Sequence, residues 1–345
     1  MTVPYVKDIL SQAEGLKDAL ENFDPQPLDV VRRVITAEEC DRIILTGMGA
    51  SYYGAYPAWL RLCGLNLPVV LWDTAELLHY AFNQVNSRTL LWVISQSGES
   101  AEIHRLLERL TSRRPKLLVG VTNNPSSTLA RAADVILPLH AGAEHTVSTR
   151  TYINTVAVTL LTTAVLLNED VSTWKETLWQ GQAAVADYLK DWSQHLDVIR
   201  EVAERLSRLF LLGRGASVAS AQEGALVLKE AAKFAAEGMG AAQFRHGPLE
   251  IVEPGIAVWL FGGAQTTVEL NRMLGLEIKQ YGGDVAWVSP QPVEGLTWVP
   301  LPSVPELALP LVEILPVQAL SVVLAEAGGR EPGQFRYIGK VTTRE

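Results

Sequence analysis

Three serines, a glutamine and a glycine fall within six residues at Ser95-Gln96-Ser97-Gly98-Glu99-Ser100, between an apolar run and an amphipathic one. Hydroxyls and an amide at the start of a helix make a cradle for a phosphate dianion. Helix-end amides and hydroxyls hold the oxygens, and the glycine lets the backbone wrap. An ordinary N-cap needs only one hydroxyl, so three beside Gln96 favour a ligand. A second turn, Gly47-Met48-Gly49-Ala50-Ser51, lacks the third glycine and the downstream acid of a dinucleotide fingerprint. Alone it is as readily a packing turn; beside the serines it becomes a second wall of one pocket.

Two further segments carry proton chemistry. In EGALVLKE, Glu223 to Glu230, the spacing of Glu223, Val227 and Glu230 puts them on one helical face. A carboxylate desolvated by Val227 and Leu226 suits proton abstraction, although a lone helical Glu is more commonly solvated. In Gln243-Phe244-Arg245-His246-Gly247-Pro248, His246 is placed in an irregular, Gly-flanked loop where it can face a ligand. A purely structural histidine fits the residues alone equally well. No His, Cys or paired-carboxylate spacing completes a metal site, and neither metal nor cofactor is expected.

These segments need strands to carry them. IILTGMGASYYGA (Ile43 to Ala55) is repeated as LFLLGRGASVASA (Leu209 to Ala221). LLWVIS (Leu90 to Ser95) repeats as AVWLFGG (Ala257 to Gly263), and LLVGVTN (Leu117 to Asn123) as VAWVSP (Val285 to Pro290). The chain is therefore a duplicated α/β unit. Strands are expected at Arg42 to Thr46, Val69 to Trp72, Leu90 to Ser95, Lys116 to Val121 and Asp134 to Leu139. Helices are expected at Ala101 to Leu110 and Ser126 to Ala132, and from about Ser148 to Leu167. This alternation predicts parallel sheets with helices on both faces. The second half has lost the serines at Gly262-Gly263-Ala264-Gln265, so one working site per chain is expected. An opening amphipathic helix is read at Lys7 to Asn22, with Ile9, Leu10, Leu16 and Leu20 on one face. The division is 1–30 helical segment, 31–170 first domain, 171–207 helical connector, 208–327 second domain and 328–345 tail.

Composition narrows the function classes. The 345 residues are 48% hydrophobic and 19% charged, enough for full cores and too few charges for disorder. The net charge of −9 and the lack of basic runs argue against a nucleic-acid surface. Cys40 and Cys63 have no ligand spacing and read as reduced thiols. The N-terminus shows no signal-peptide pattern. The apolar window Thr155 to Leu167 is short and threaded with threonines, a core helix rather than a membrane span. A cytoplasmic protein without membrane or nucleic-acid partners is the expectation.

Taken together, the ordered motifs KDILSQAEGL, GMGASYYGA, ISQSGES, NNPSSTLARAADVIL, AGAEHTVST, GRGAS…EGALVLKE, FRHGPLEI and RYIGKVTTRE resemble the sugar isomerase (SIS) family. Within it they resemble the isomerase half of glutamine–fructose-6-phosphate aminotransferases, over nearly the whole chain. The resemblance implies two tandem SIS domains, each a flavodoxin-like three-layer sandwich. It implies phosphate contacts from Ser95, Gln96, Ser97 and Ser100, a hydroxyl contact from Ser51, and a sugar pocket lined by Val147 and Ser148. It implies Glu230 as the base moving a proton between C1 and C2, and His246 as the ring-opening group, reached across a homodimer from the neighbouring subunit. Lys340 is implied as the tail lysine that forms a Schiff base with a keto-sugar.

Departures shape the expected activity. Val227 and Gln243 stand where the aminotransferases have lysine and glutamate, and the chain is one residue shorter between Glu144 and Ser148. No glutaminase domain or N-terminal cysteine nucleophile is read before residue 1. The expected activity is an isomerising enzyme on a hexosamine 6-phosphate, a glucosamine-6-phosphate deaminase or isomerase. Alternatives are a deglycase for fructosamine-type 6-phosphates and a non-catalytic sugar-phosphate sensor.

Overall fold

The computed structural model describes residues 3–204 and 206–344. They form two compact units, each assembled from separated stretches of chain. One contains residues 14–144, 149–176 and 337–344; the other contains 3–13, 145–148, 177–204 and 206–336.

The first unit is built on five parallel strands, β1 (Arg42–Gly47), β2 (Val69–Asp73), β3 (Thr89–Ile94), β4 (Leu117–Thr122) and β5 (Val135–Pro138), in the order β2-β1-β3-β4-β5. Successive side chains on a strand point to opposite faces, and here both faces are apolar. Ile43, Leu45 and Trp92 pack under Ala55, Leu62 and Val158, while Ile44, Leu91 and Val93 pack under Ile103, Leu106 and Leu129. Helices on each face follow from that pattern. The helix Arg150–Leu166 contains most of the apolar window Thr155 to Leu167 and is buried along its length.

The second unit repeats the plan. Its strands β6 (Arg208–Gly213), β7 (Ala236–Gly240), β8 (Ile256–Phe261), β9 (Asp284–Ser289) and β10 (Thr297–Pro300) are all parallel, in the order β10-β9-β8-β6-β7. Numbered within its own half, this is the same strand order as the first sheet. The repeats read from sequence fall on equivalent strands, β1 with β6, β3 with β8 and β4 with β9. The helix Leu309–Ala327 covers one face. It is apolar and long enough by composition to cross a membrane, yet 89% of its apolar window is buried. Its polar side chains find partners within the unit: Gln318 exchanges amide hydrogen bonds with Gln12 (2.8 and 3.0 Å), and Ser321 meets Tyr5 Oη at 2.9 Å.

The opening segment departs from the expectation. Helices Pro4–Leu10 and Gln12–Asn22 are separate, because the Ser11 hydroxyl donates to the Lys7 and Asp8 carbonyls and ends the first. Ile9, Leu16 and Leu20 are fully buried, but Leu10 is 41% exposed; the break turns it off the apolar face.

Candidate functional site

The two turns of the first half leave neighbouring strands. β1 and β3 pair with Thr46 beside Val93, so Gly47–Ser51 and Ser95–Ser100 emerge side by side. Strand order reverses between them, and open α/β sheets bind ligands outside the carboxyl ends of strands at such a point. A Cβ at Gly47 would lie 3.1 Å from the Ile94 carbonyl oxygen and 3.1 Å from the Ser51 backbone. Glycine there lets the helix Ala50–Leu62 start close against β3, with half-buried Ser51 in its first turn.

The serine loop is held by its own hydroxyls. Gly98 has φ +65°, and a Cβ there would lie 2.2 Å from the Ser127 hydroxyl, so both conformation and space require glycine. Ser95 Oγ accepts the Gly98 N–H at 3.1 Å, and Ser97 Oγ accepts the Glu99 N–H at 3.2 Å. Each oxygen is thereby positioned while its own O–H stays a donor. The Gln96 carbonyl accepts from Asn123 N–H and Thr122 Oγ1, tying the loop to the end of β4. Ser100 stands at the N-cap of the helix Ala101–Leu110 but makes no side-chain capping bond. Its hydroxyl is not spent on the helix.

Glu99 would repel an anion if it faced the cradle. Instead its carboxylate accepts from Thr128 N–H at 2.7 Å and sits 2.8 Å from His104 Nε2. The Thr128 amide, ahead of His104, holds the Glu99 carboxyl below the usual range.

The tail docks on this same unit. Thr342 O accepts the Ala101 N–H at 3.0 Å, at the helix end where the serine loop finishes. Lys340 Nζ meets Glu144 Oε2 at 2.5 Å, and the Glu144 side chain is fully buried. That carboxylate also accepts Thr149 N–H (2.8 Å), Thr151 N–H (3.0 Å) and the Thr151 hydroxyl (2.7 Å). Glu144 therefore caps the helix Arg150–Leu166 and seats Lys340 together. Sequence reading missed it; Glu followed at five and seven residues by threonines opening a long apolar run was the available signal.

The second unit holds the remaining candidates. The helix Ser217–Val227 does not continue regularly through Glu230. It passes into a π-helical turn, Leu228–Ala232, ending at Lys233 in the left-handed conformation, φ +58°. Glu223 and Val227 are fully buried and Glu230 is half-buried, so the shared helical face predicted for the three is broken by the extra residue of that turn. Ala231 O accepts the Gly333 N–H at 3.1 Å, and Gly333 packs so closely that a Cβ would lie 3.0 Å from Thr146 Oγ1. The strand of chain carrying buried Val147 and half-buried Ser148 thus lies near the Glu230 turn. It is pinned by buried Asp8, which accepts His145 N–H at 2.7 Å and meets His145 Nδ1 at 2.8 Å. A pair so distant in sequence left no local signal. His246 follows β7 on an exposed turn, its N–H bonded to the Gln243 carbonyl.

The strand orders define a pair of doubly wound sheets, the first with a hydroxyl-rich loop at its switch point. The SIS domain model matches residues 38–167 and 204–292, and the chain belongs to the SIS domain family. It is 33% identical over 99% of its length to glutamine–fructose-6-phosphate aminotransferase [isomerizing] of Pyrococcus horikoshii, and 31% identical over 99% to that of Thermococcus kodakarensis. It spans 57% and 58% of the lengths of those proteins. Among solved structures, the C-terminal domain of glucosamine–fructose-6-phosphate aminotransferase from Francisella tularensis superposes with a TM-score of 0.85 at 22% identity, covering 97% of this chain and 98% of that one. Glucosamine-6-phosphate deaminase from Thermotoga maritima gives 0.75 at 19% identity, covering 99% and 100%. These two likenesses are of fold.

Proposed function

We propose that the chain is a phosphosugar-binding, isomerising enzyme acting on a hexosamine 6-phosphate, as a glucosamine-6-phosphate deaminase or isomerase. The observation that carries the reading is the serine cradle at the switch point, with the tail that bears Lys340 bonded to the first amide of its helix. In this reading Ser95, Gln96, Ser97, Ser100 and Ser51 hold the phosphate, and Val147 and Ser148 line the sugar. His246, supplied by the partner in a homodimer, opens the ring.

Glu230 then moves the C2 proton to C1. The C1 aldehyde becomes an alcohol as the amine-bearing C2 becomes an imine, so no external oxidant or reductant is needed. Lys340 displaces ammonia at C2, and water releases fructose 6-phosphate and restores the lysine. An imine withdraws electrons from the adjacent carbon, which eases each proton transfer. No metal or cofactor enters the scheme.

The five-segment division at 30, 170, 207 and 327 and a cytoplasmic setting belong to the same proposal; the family-model segments support the former. A deglycase for fructosamine-type phosphates is the second reading, favoured by the engagement of Lys340 with Glu144, since that chemistry can proceed on Glu230 and His246 alone. The test is a panel of amino-sugar and fructosamine 6-phosphates read for ammonia and ketose release. Ammonia from glucosamine 6-phosphate supports the deaminase. Release only from amino-acid adducts selects the deglycase, and binding without turnover of any of them selects a sensor.

A further inference from the structure

Lys233 closes the π-helical turn that carries Glu230, and it does so at a strained position. Its φ of +58° lies in the left-handed region, where glycine costs nothing and asparagine little, while a lysine side chain is disfavoured. The turn geometry itself is met by backbone: Phe234 N–H reaches the Leu228 carbonyl at 3.1 Å, the closure usually completed by glycine. A lysine that persists there is explained by its side chain.

That side chain bridges two pieces of backbone. Lys233 Nζ donates to the carbonyl of Glu230 and, at 2.6 Å, to the carbonyl of Gln334. One residue before Gln334, the Gly333 N–H returns to Ala231 O, and Arg330 Nη1 reaches Ala232 O at 3.3 Å. Cations and an amide thus satisfy three successive carbonyls, Glu230 to Ala232, at the negative end of the turn. Val227, at the position where the resemblance places a lysine in the aminotransferases, is fully buried and offers no such group.

We propose that Lys233 is a positioning residue for Glu230, clasping the turn that carries the carboxylate to the chain at Gln334, six residues before Lys340. The proposal rests on the reading of Glu230 as the base. A lysine here fixes the Glu230 carbonyl, and with it the backbone from which the carboxylate projects. It also fixes the segment that leads into the tail.

The test uses Lys233→Gly, Lys233→Asn and Lys233→Arg in the full chain. Glycine and asparagine relieve the left-handed strain, so their Tm should equal or exceed that of the parent protein. Their amides at 228–232 and 333–336 should nevertheless exchange with solvent at least tenfold faster. With glucosamine 6-phosphate, kcat should fall at least tenfold with KM within about twofold, and Lys233→Arg should recover much of both losses. Unchanged exchange in the glycine variant would overturn the clasp, and faster exchange with unchanged kcat would overturn the positioning role. Exchange reads the clasp even if the parent protein turns over no hexosamine phosphate, so failure of the functional reading is told apart from failure of this one.

Discussion

Ser217 Oγ lies 2.7 Å from Glu313 Oε1, and Ser220 Oγ lies 2.6 Å from the other oxygen of that carboxylate. Ser217 is the counterpart of Ser51 in the repeated Gly-x-Gly-Ala-Ser turn, so in the second half this hydroxyl is committed to an internal acid. Together with the missing serines at Gly262 to Gln265, that commitment leaves the second half without the hydroxyls that the first half presents at the equivalent turns.

The first prediction concerns Glu313 and pH. Complete burial pushes its carboxyl up to about 7, against the lowering effect of Ser220 and Ser217. Below the ordinary glutamate value of 4.5 the group is neutral in both folded and unfolded chains and costs nothing. As pH rises through the window between 4.5 and 7 the unfolded chain ionises first, so stability falls, by roughly 3 kcal/mol once the folded group has ionised. Glu313→Gln should flatten that slope and raise stability at pH 8 while changing it little at pH 5. Urea unfolding at the two pH values checks this; an unchanged slope sinks the assignment.

Phosphate affinity should depend on Ser97. Removing a hydroxyl donor to a charged ligand costs roughly 1.5–3 kcal/mol, about a ten- to hundredfold rise in Kd. Titration of Ser97→Ala with glucosamine 6-phosphate measures it. Gly98→Ala should be worse for the loop, because the added methyl enters the space of Ser127 and φ is +65°. Equal affinity in the parent protein and both variants would place the phosphate elsewhere.

Restoring a lysine at position 227 should not restore an aminotransferase-like site. Val227 is 0% exposed, and a buried unpaired ammonium is destabilising by about 3–5 kcal/mol or is forced neutral. Val227→Lys is therefore expected to unfold at markedly lower urea, with any change in the pH–rate profile secondary to that loss. A stable Val227→Lys protein would show that this helix face can open.

The tail lysine can be trapped chemically. Borohydride with fructose 6-phosphate should add one hexose phosphate to the peptide containing Lys340, since an imine is reduced to a stable amine. Lys340→Ala should lose the adduct and some stability, because buried Glu144 loses its cation while keeping its threonine donors. Full turnover by Lys340→Ala without any adduct in the parent protein would favour the deglycase reading.

Much of the scaffold was legible because its signals are local and stated twice. Apolar runs ending in glycine turns placed β1 with β6 and β3 with β8, and Ala101–Leu110 matches its expected span. The serine loop between β3 and the helix Ala101–Leu110 was legible for the same reason, as its residues are consecutive in sequence. What escaped depends on packing between distant segments. No periodicity announces a π-helical turn at Leu228–Ala232, so a regular helix was expected to run on through Glu230. Asp8 with His145, and Glu144 with Lys340, are pairs whose partners lie more than a hundred residues apart. Each is an ordinary carboxylate until the fold supplies the other half.

The interleaving of the two units bears on how the protein comes into being. The first sheet has all its strands once residue 138 is made, and can begin to form while later chain is still being synthesised. The amide of Ala101 must wait for Thr342, and the buried Glu144 for Lys340. At roughly 5–20 residues per second, the stretches of about 200 and 240 residues that intervene take some ten to fifty seconds. Conversely, residues 3–13 precede the first sheet in the chain but belong with the second, so Asp8 waits for His145, and Tyr5 and Gln12 wait for Ser321 and Gln318. A nascent chain thus presents the serine loop before Thr342 and Lys340 exist to meet Ala101 and Glu144.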